Sequence, residues 1–311
     1  MLRVFDGHCD TISHCCRSGI SLRRNEGHLD LERTEKYAGW AQFFAIFASQ
    51  KWEKDPLWQV AQGQYAVFCR ELELNSDLVT QCRTAEEIKK AWADGKMAAL
   101  LSIEGAELLD CDLDKLETVH DWGVRAINLT WNHTNALSGT NVEDNDKGLT
   151  EKGKAFACKM QELGMLIDVS HLSDPGFWDV IDLAQKPIFA SHSNSRAICP
   201  HSRNLTDEQF TALVKNGGVA GLNMCDEFVG EAPTIDTLVA HVEHWFGLGG
   251  EKNVSLGGDW DGISGMPAGI HGIQDLGKLA ERLLQLNYGE DRVNGLFYQN
   301  LMRVVSEVCT M

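Results

Sequence analysis

The sequence predicts a (β/α)8 barrel on three observations. Eight runs of apolar, β-branched and aromatic residues alternate with stretches of helical periodicity. The 311 residues are sufficient for one such barrel, which commonly takes about 250 residues. No repeat, low-complexity tract or linker interrupts the chain, so we expect residues 1–311 to form one barrel domain, closed by two C-terminal helices at about 276–308. An open doubly wound sheet is less well supported, because no dinucleotide-binding glycine motif is present.

Each predicted strand is a short apolar run between turn signals. The eight runs are 4–10, 40–48, 97–104, 124–131, 165–170, 187–191, 218–224 and 254–258. Helices are predicted at 56–74, 150–163, 177–183, 206–215, 234–246, 276–286 and 290–308. Thr84 is expected to cap one further helix, with Glu87 completing a capping box. Residues 21–37 are polar and are expected to form a loop.

Composition excludes several kinds of partner. The net charge of −17 argues against nucleic acid and against an anionic membrane surface. No apolar run reaches the length of a membrane span. Residues 1–12 already hold the first motif, so no secretory leader is expected. The ten cysteines are irregularly spaced without a C-x-x-C motif, which favours a reducing compartment and predicts a cytoplasmic protein.

Residues with metal-ligand chemistry follow the predicted strands, at the end where active sites of such barrels lie. His8 and Asp10 share a face of the first strand, because alternate residues point the same way. Other strand ends supply Glu104, His171, His192 and Asp259. A lone histidine of this kind is more often a hydrogen-bonded strand-end residue. Six such groups exceed the ligands of one zinc ion and suit two ions bridged by a carboxylate, for which Glu104 is our choice.

Several motifs occur in a fixed order along the chain. They include Asp6-Gly-His-Cys-Asp10, Ile103-Glu-Gly105, Leu166-Ile-Asp-Val-Ser-His171, Ser191-His-Ser193, Ser202-Arg-Asn204 and Gly257-Gly-Asp-Trp-Asp-Gly262. In this order the sequence resembles the membrane (renal) dipeptidase family of the amidohydrolase superfamily, nearly end to end. The resemblance implies a TIM barrel of the metal-dependent hydrolase type.

The resemblance also implies a site with two zinc ions. Its ligands would be His8, Asp10, Glu104, His171 and His192. The first two would bind one ion, the last two the other, and the glutamate would bridge them. Asp259 would be the catalytic carboxylate. Arg203 would hold the free carboxylate of the substrate, for which a bidentate guanidinium is well suited.

The activity implied by the resemblance is zinc-dependent hydrolysis of the peptide bond of free dipeptides. A hydroxide bridging the two ions would attack the amide, and Asp259 would accept its proton and later donate one to the leaving amine. Family members often accept a C-terminal D-residue, so such dipeptides are included among the expected substrates. Dimers are common among relatives, and a homodimer is therefore also expected.

One position departs from the family pattern. Renal members carry a substrate-facing histidine directly after Leu-Thr on the fourth strand, where this chain has Trp131. His133 follows two residues later, and a spacing of two preserves the strand face. We therefore predict that His133 binds the substrate and stabilises the oxyanion, against the alternative of a loop histidine. Asp261 shares a face with Asp259 and is expected to orient a neighbour.

Two other functions stay open. The first is another amidohydrolase-type activity, such as that of an N-acyl amino acid deacylase or a lactonase. The wider superfamily more often carries His-x-His and a lysine on strand four, whereas this chain has His8-x-Asp10 with Glu104 as the predicted bridge. The second is a non-catalytic metal-binding barrel, which should have lost a ligand or Asp259, and none is lost.

Overall fold

The computed structural model of the chain describes residues 1–310, and parallel strands form its centre. The strands are β1 (Arg3–Cys9), β2 (Gly39–Phe47), β3 (Val79–Gln81), β4 (Met97–Glu104), β5 (Val124–Asn128), β6 (Leu166–Asp168), β7 (Phe189–Ala190), β8 (Val219–Leu222) and β9 (Val254–Leu256). Eight of them pair in the order β2-β1-β9-β8-β7-β6-β5-β4, and pairing of β2 with β4 closes the ring. The predicted (β/α)8 barrel is confirmed.

The strand β3 was not predicted. It pairs only with the first residues of β4, so it lies outside the closed ring. Three residues are too few to show the alternation by which a strand is recognised in a sequence. Within the expected loop 21–37 the structure has a four-residue helix, Leu31–Thr34. Asp30 begins this helix by accepting the backbone N–H of Arg33 at 2.8 Å.

Helices follow the strands and surround the barrel. They are α1 (Thr11–Ser18), α2 (Leu31–Thr34), α3 (Leu57–Leu74), α4 (Ala85–Ala93), α5 (Asp114–Trp122), α6 (Glu151–Glu162), α7 (Asp174–Leu183), α8 (Asp207–Asn216), α9 (Asp226–Val229), α10 (Ile235–Gly247), α11 (Gly277–Gln285), α12 (Glu290–Asn294) and α13 (Asn300–Val308). Short 3-10 helices span Ala106–Leu109 and Ile273–Asp275. The predicted helices are present with small shifts at their ends, except that a π-helical segment, Gly295–Gln299, interrupts 290–308.

Thr84 caps α4 as predicted, because its hydroxyl accepts the N–H of Glu87 at 3.2 Å. The Glu87 carboxylate accepts the N–H of Arg83 rather than that of Thr84, so the capping box is only half formed. At the other end of the chain, the Asn300 side chain donates to the carbonyl of Val254 at 2.7 Å. This bond joins the start of α13 to the start of β9.

The N-terminal end of the barrel is filled by aromatic side chains. Phe5, Phe43 and Phe189 come from β1, β2 and β7 and are fully buried. The ring of Phe43 lies 5.8 Å from that of Phe5 and 5.7 Å from that of Phe189. Gly7 permits this packing, since a Cβ at that position would lie 2.7 Å from the Phe189 ring. These rings therefore close the N-terminal end of the barrel.

Two features concern the expected location of the protein, namely the state of its cysteines and the length and polarity of its helices. All ten cysteines lie among the described residues and are free thiols. Within residues 1–310, every helix is too short or too polar to cross a lipid bilayer.

Candidate metal centre

The structure brings together the six residues predicted at the strand ends, and all six are buried. His8 is at their centre. Its Nε2 atom lies 3.6 Å from Asp10 Oδ2 and 3.9 Å from Asp259 Oδ1. Because β1 and β9 are neighbours in the ring, the loop after β9 reaches the end of β1. These three side chains form the first half of the cluster.

Glu104 lies between two sets of ligands. Its Oε2 atom is 3.6 Å from His8 Nε2. Its Oε1 atom is 2.9 Å from His171 Nε2 and 3.6 Å from His192 Nε2. The two oxygens of one carboxylate thus face different histidines, which is the arrangement required of a ligand shared by two ions.

The hydrogen bonds of His171 leave its inner nitrogen available as a ligand. Nδ1 lies 2.8 Å from Asn132 Oδ1, an acceptor, so Nδ1 carries the proton. Nε2 therefore presents a lone pair, which accepts from Arg203 Nη2 at 3.1 Å. The same lone pair faces the carboxylate of Glu104 at 2.9 Å. Two acceptors at this distance repel each other, and a cation between them would remove the repulsion.

Further features support a cation. His8 Nε2 and Asp10 Oδ1 are buried and have no hydrogen-bond partner, which is rare for polar atoms in proteins. Ligand atoms within 4.8 Å of one another form two triads: His8, Glu104 and His192, and His8, Asp10 and Asp259. Imidazole nitrogens with carboxylate oxygens are a usual ligand set for zinc. The residues present therefore fit divalent metal ions.

Burial and charge act in opposite directions on the ligands. Burial alone would lower the pKa of His8, but Glu104 and Asp10 outweigh it and raise that pKa well above its usual value. Burial, helped by the charge of Asp10, raises the pKa of Glu104 to about 7. Burial and the charges of Arg203 and His8 hold the pKa values of His171 and His192 well below the usual range, so both rings are neutral.

Asp6, a buried carboxylate under the cluster, orients two of its segments. Its side chain accepts hydrogen bonds from the backbone N–H of His8 at 3.0 Å and of Gly258 at 2.9 Å. It also accepts from Gln42 Nε2 and Trp260 Nε1. The end of β1 and the loop that carries the last carboxylate are thereby joined. Asp6 had no predicted role, although a carboxylate inside an apolar strand signals buried donors around it.

Asp168 does the same on the other side of the barrel. It accepts the backbone N–H groups of Ser170 and Ser191, each at 3.0 Å. These serines directly precede His171 and His192 in the sequence. One buried carboxylate therefore holds both ligand-bearing turns.

Asp259 and Asp261 both adopt left-handed backbone conformations, with φ values of 59° and 66°. Asp259 Oδ2 accepts from Asn223 Nδ2 at 3.0 Å, a contact that the sequence did not reveal. The carboxylate of Asp261 accepts the Thr11 hydroxyl and the N–H of His28, both at 2.6 Å. The turn is held at both aspartates, and such strain is typical of functional loops.

Arg203 is buried beside the cluster, with 4% of its surface exposed. Its Nη2 atom donates to His171 Nε2 and to the carbonyl of His192. Its Nε and Nη1 atoms have no partner. The side chain lines the cavity, and a guanidinium with unpaired donors is suited to bind an anionic group.

His133 does not lie where the strand argument placed it. β5 ends at Asn128, so the alternation of faces does not extend to 131–133. The Nδ1 atom of His133 lies 2.8 Å from Glu143 Oε1, and His133 is not among the cavity-lining residues. Trp131 and Asn132 line the cavity instead. The substrate-binding role of His133 stays a prediction without its original geometric reason.

A cavity of about 470 Å³ lies above the cluster, a suitable size for a small substrate. Its lining includes carboxylates and a histidine of the cluster, Arg203 with the Phe228 ring beside it, and the aromatic residues Phe47, Trp52 and Trp131. Residues with metal-ligand chemistry, a nearby carboxylate and a guanidinium with unpaired donors together suit hydrolysis of a small molecule that carries an anionic group.

Comparison with known proteins agrees with this geometry. The model of the family described as "Membrane dipeptidase (Peptidase family M19)" matches residues 1–311. A protein of Klebsiella pneumoniae, described only as uncharacterized and encoded in the pqqA 5′ region, is 33% identical over 267 residues, covering 82% of this chain and 96% of that protein. Dipeptidase tcpJ of Claviceps purpurea (strain 20.1) is 28% identical over 333 residues, covering 99% of this chain and 77% of that enzyme.

A solved structure gives the same result at the level of the whole fold. It is that of a metallo peptidase from Rhodobacter sphaeroides, liganded with a phosphinate mimic of the dipeptide L-Ala-D-Ala. The two chains superpose with a TM-score of 0.91 and 28% sequence identity, and the match covers 99% of each chain.

Proposed function

Since the chain belongs to the membrane dipeptidase family, peptidase family M19, and is a metal-dependent dipeptidase, we propose that it hydrolyses free dipeptides with two zinc ions bound. The observation that carries the count of two is the position of Glu104. Its Oε2 atom faces His8, and its Oε1 atom faces His171 and His192. One ion alone would leave one of these oxygens and its histidine partner without a cation.

The proposed ligands divide between the two halves of the cluster. His8 and Asp10 would hold one ion, His171 and His192 the other, and Glu104 would contact both. When bound, the ions supply Lewis-acid polarisation of the scissile carbonyl and lower the pKa of a water ligand to about 7. The neutral imidazoles of His171 and His192 can bind metal without first losing a proton.

Asp259 is the proposed proton carrier. It lies within 3.9 Å of His8, at the base of the cavity, and Asn223 fixes one of its oxygens. Its other oxygen is free to accept a proton from the attacking water and to return it to the departing amine. The left-handed turn around Asp259 aims the carboxylate into the site, and Gly262 leaves room for it, since a Cβ there would lie 2.6 Å from Asp259 Oδ1.

Arg203 is the proposed anchor of the substrate carboxylate. Its unpaired Nε and Nη1 atoms are buried, so an unsatisfied guanidinium would gain strongly from a carboxylate. Because Arg203 lies beside the ligand His171, that carboxylate would end close to the scissile bond. This position selects dipeptides over longer peptides.

The free thiols of the ten cysteines support the cytoplasm as the proposed location.

The test is hydrolysis of a small panel by zinc-loaded protein. The panel pairs L-Ala-L-Ala with L-Ala-D-Ala and adds an N-acetylated and a C-amidated control. We expect cleavage of the free dipeptides and no cleavage of the amidated one, because amidation removes the group that Arg203 would bind. The ratio of the two rates gives the stereochemical preference. No cleavage of any dipeptide by protein with two ions bound would favour the deacylase or lactonase alternative.

A further inference from the structure

The cavity above the metal centre has two unlike sides. On one side Phe47, at the end of β2, contacts Trp52 and Trp131, with ring centroids 5.9 Å and 4.9 Å away. The rings of Trp52 and Trp131 are 5.4 Å apart. We call these three residues the aromatic wall. Each ring touches both others, so the wall is one continuous apolar surface.

Part of this side of the cavity is exposed to solvent. Trp52 is 56% exposed, and Val142, which also lines the cavity, is 56% exposed. A large exposed aromatic ring within a ligand cavity is a surface that gains from burial by a ligand. Phe47, by contrast, is 7% exposed and serves as the base of the wall. The open rings of the wall are therefore suited to contact an apolar group.

The position of Arg203 decides which part of a dipeptide reaches the wall. The strand order places β2, β4 and β5 on one side of the ring and β7 and β8 on the other. Arg203 follows β7, whereas the wall follows β2 and β5. His171 lies between them, 3.1 Å from Arg203 Nη2 and with its ring 6.4 Å from that of Trp131. A dipeptide whose carboxylate is on Arg203 and whose amide is over the ligands points its first residue toward the wall.

Charges on the other side strengthen this assignment. The cavity-lining carboxylates Asp226 and Glu227 follow β8, on the side of Arg203, and not β2 or β5. The wall itself consists of neutral side chains. Its rings thus offer apolar contact to a side chain placed on them, and Arg17, the cavity-lining cation on α1, is not part of the wall.

We propose that the aromatic wall is the subsite for the amino-terminal side chain, and that the enzyme prefers dipeptides with a bulky apolar first residue. The inference rests on the proposed dipeptidase function and on Arg203 as carboxylate anchor. It names the substrate class as dipeptides that begin with Phe, Leu or Met. Small, acidic or basic first residues are poorer substrates.

The test compares kcat/KM for Gly-Ala, Leu-Ala, Phe-Ala, Asp-Ala and Lys-Ala in zinc-loaded protein. We expect kcat/KM for Phe-Ala and for Leu-Ala to exceed that for Gly-Ala about tenfold or more, since an apolar pocket discriminates by roughly that much. In Trp52→Ala the ratio of Phe-Ala to Gly-Ala should fall about tenfold. Val142→Ser should lower the same ratio less. Trp178→Ala is the matched control, because this tryptophan is 39% exposed on α7, does not line the cavity, and should leave the ratio unchanged.

A second readout separates binding from turnover. The phosphinate mimic of Phe-Ala should bind more tightly than that of Gly-Ala by the same factor that separates their kcat/KM values. Trp52→Ala should reduce this difference in inhibition constant to the same extent. Equal cleavage of all five dipeptides, preference for Asp-Ala or Lys-Ala, or an unchanged ratio in both Trp52→Ala and Val142→Ser would overturn the subsite while leaving the dipeptidase function intact. Failure to cleave any of the five would instead reject the proposed function, and the subsite with it.

Discussion

Two layers of the barrel mouth are built differently. The lower layer is the ligand cluster at the strand ends, where His8 is 1% and His171 is 6% exposed. The upper layer, which we call the rim, comprises the irregular segments 48–56 and 131–147, where Trp52 is 56% exposed. Strand pairing and buried carboxylates fix the lower layer, whereas the rim consists of turns, bends and isolated bridges. We therefore expect the barrel to set the chemistry and the rim loops to set the substrate selectivity.

The largest effect is expected in the lower layer. Asp259→Asn keeps the shape of the side chain but removes the proton acceptor, so kcat should fall by about 10³-fold. Metal content after dialysis should stay near that of the wild type, because all five proposed ligands are untouched. Steady-state kinetics and elemental analysis of the same sample measure both.

A matched control is Asp226→Asn, which changes a carboxylate that lines the cavity but lies outside the ligand cluster. Its kcat should change by less than about tenfold, the effect of a single polar contact. Residual activity of more than a few per cent in Asp259→Asn with full metal content would refute the proton-carrier role.

The sequence was most informative about the lower layer, for a geometric reason. In a parallel barrel all strands end at the same end of the barrel, so ligand-type residues after several strands must converge. His8, Glu104 and His192 could thus be assigned to one site without knowing any loop. The strand ends themselves were predicted too long, as at 165–170, where β6 spans only Leu166–Asp168.

The upper layer could not be predicted in this way. The argument for His133 required the alternation of β5 to extend to residue 133, but β5 ends at Asn128. Past that point the chain direction depends on contacts between loop residues that have no fixed spacing in the sequence, such as that of Asn132 with His171, 39 positions away. Asn132 and Asn223 touch the site through amide side chains, which carry no ligand chemistry that would single them out.

Arg203 lies between the layers and should show an intermediate effect. Arg203→Met removes a buried charge-assisted contact, so kcat/KM for L-Ala-L-Ala should fall about 10²-fold, mainly through KM. The same substitution at Arg17, an exposed residue that lines the cavity from α1, is the control and should have less than about a threefold effect. Equal losses in both variants would show that general positive charge, and not a specific anchor, binds the substrate.

Metal binding by the lower layer should depend on pH. The pKa of Glu104 is raised to about 7 and that of His8 lies well above its usual value, so both hold protons at pH 6 in metal-free protein. Binding must displace these protons, and affinity should therefore fall about tenfold per pH unit below pH 7 for each proton displaced. Calorimetric titration with zinc in two buffers of different ionisation enthalpy counts the protons.

The variant Glu104→Gln supplies the control for this count. It has no carboxyl proton at this position, so it should release fewer protons at pH 6 than the wild type. Identical heats in the two buffers for the wild-type protein would contradict the assignment of protonated ligands.

The smallest effects concern two adjacent rim residues and test the boundary between the layers. Asn132 fixes the tautomer of His171 through its 2.8 Å contact with Nδ1. Asn132→Ala should therefore weaken zinc binding about tenfold, as is usual when a partner of a ligand histidine is lost. His133 contacts Glu143 and no ligand, so His133→Ala should leave zinc affinity within about twofold, the expectation for a site without ligand contact. A fall in kcat/KM without a change in zinc affinity in His133→Ala would support its predicted substrate contact. An equal loss of zinc affinity in both variants would show that the rim as a whole, and not the Asn132 bond, supports the lower layer.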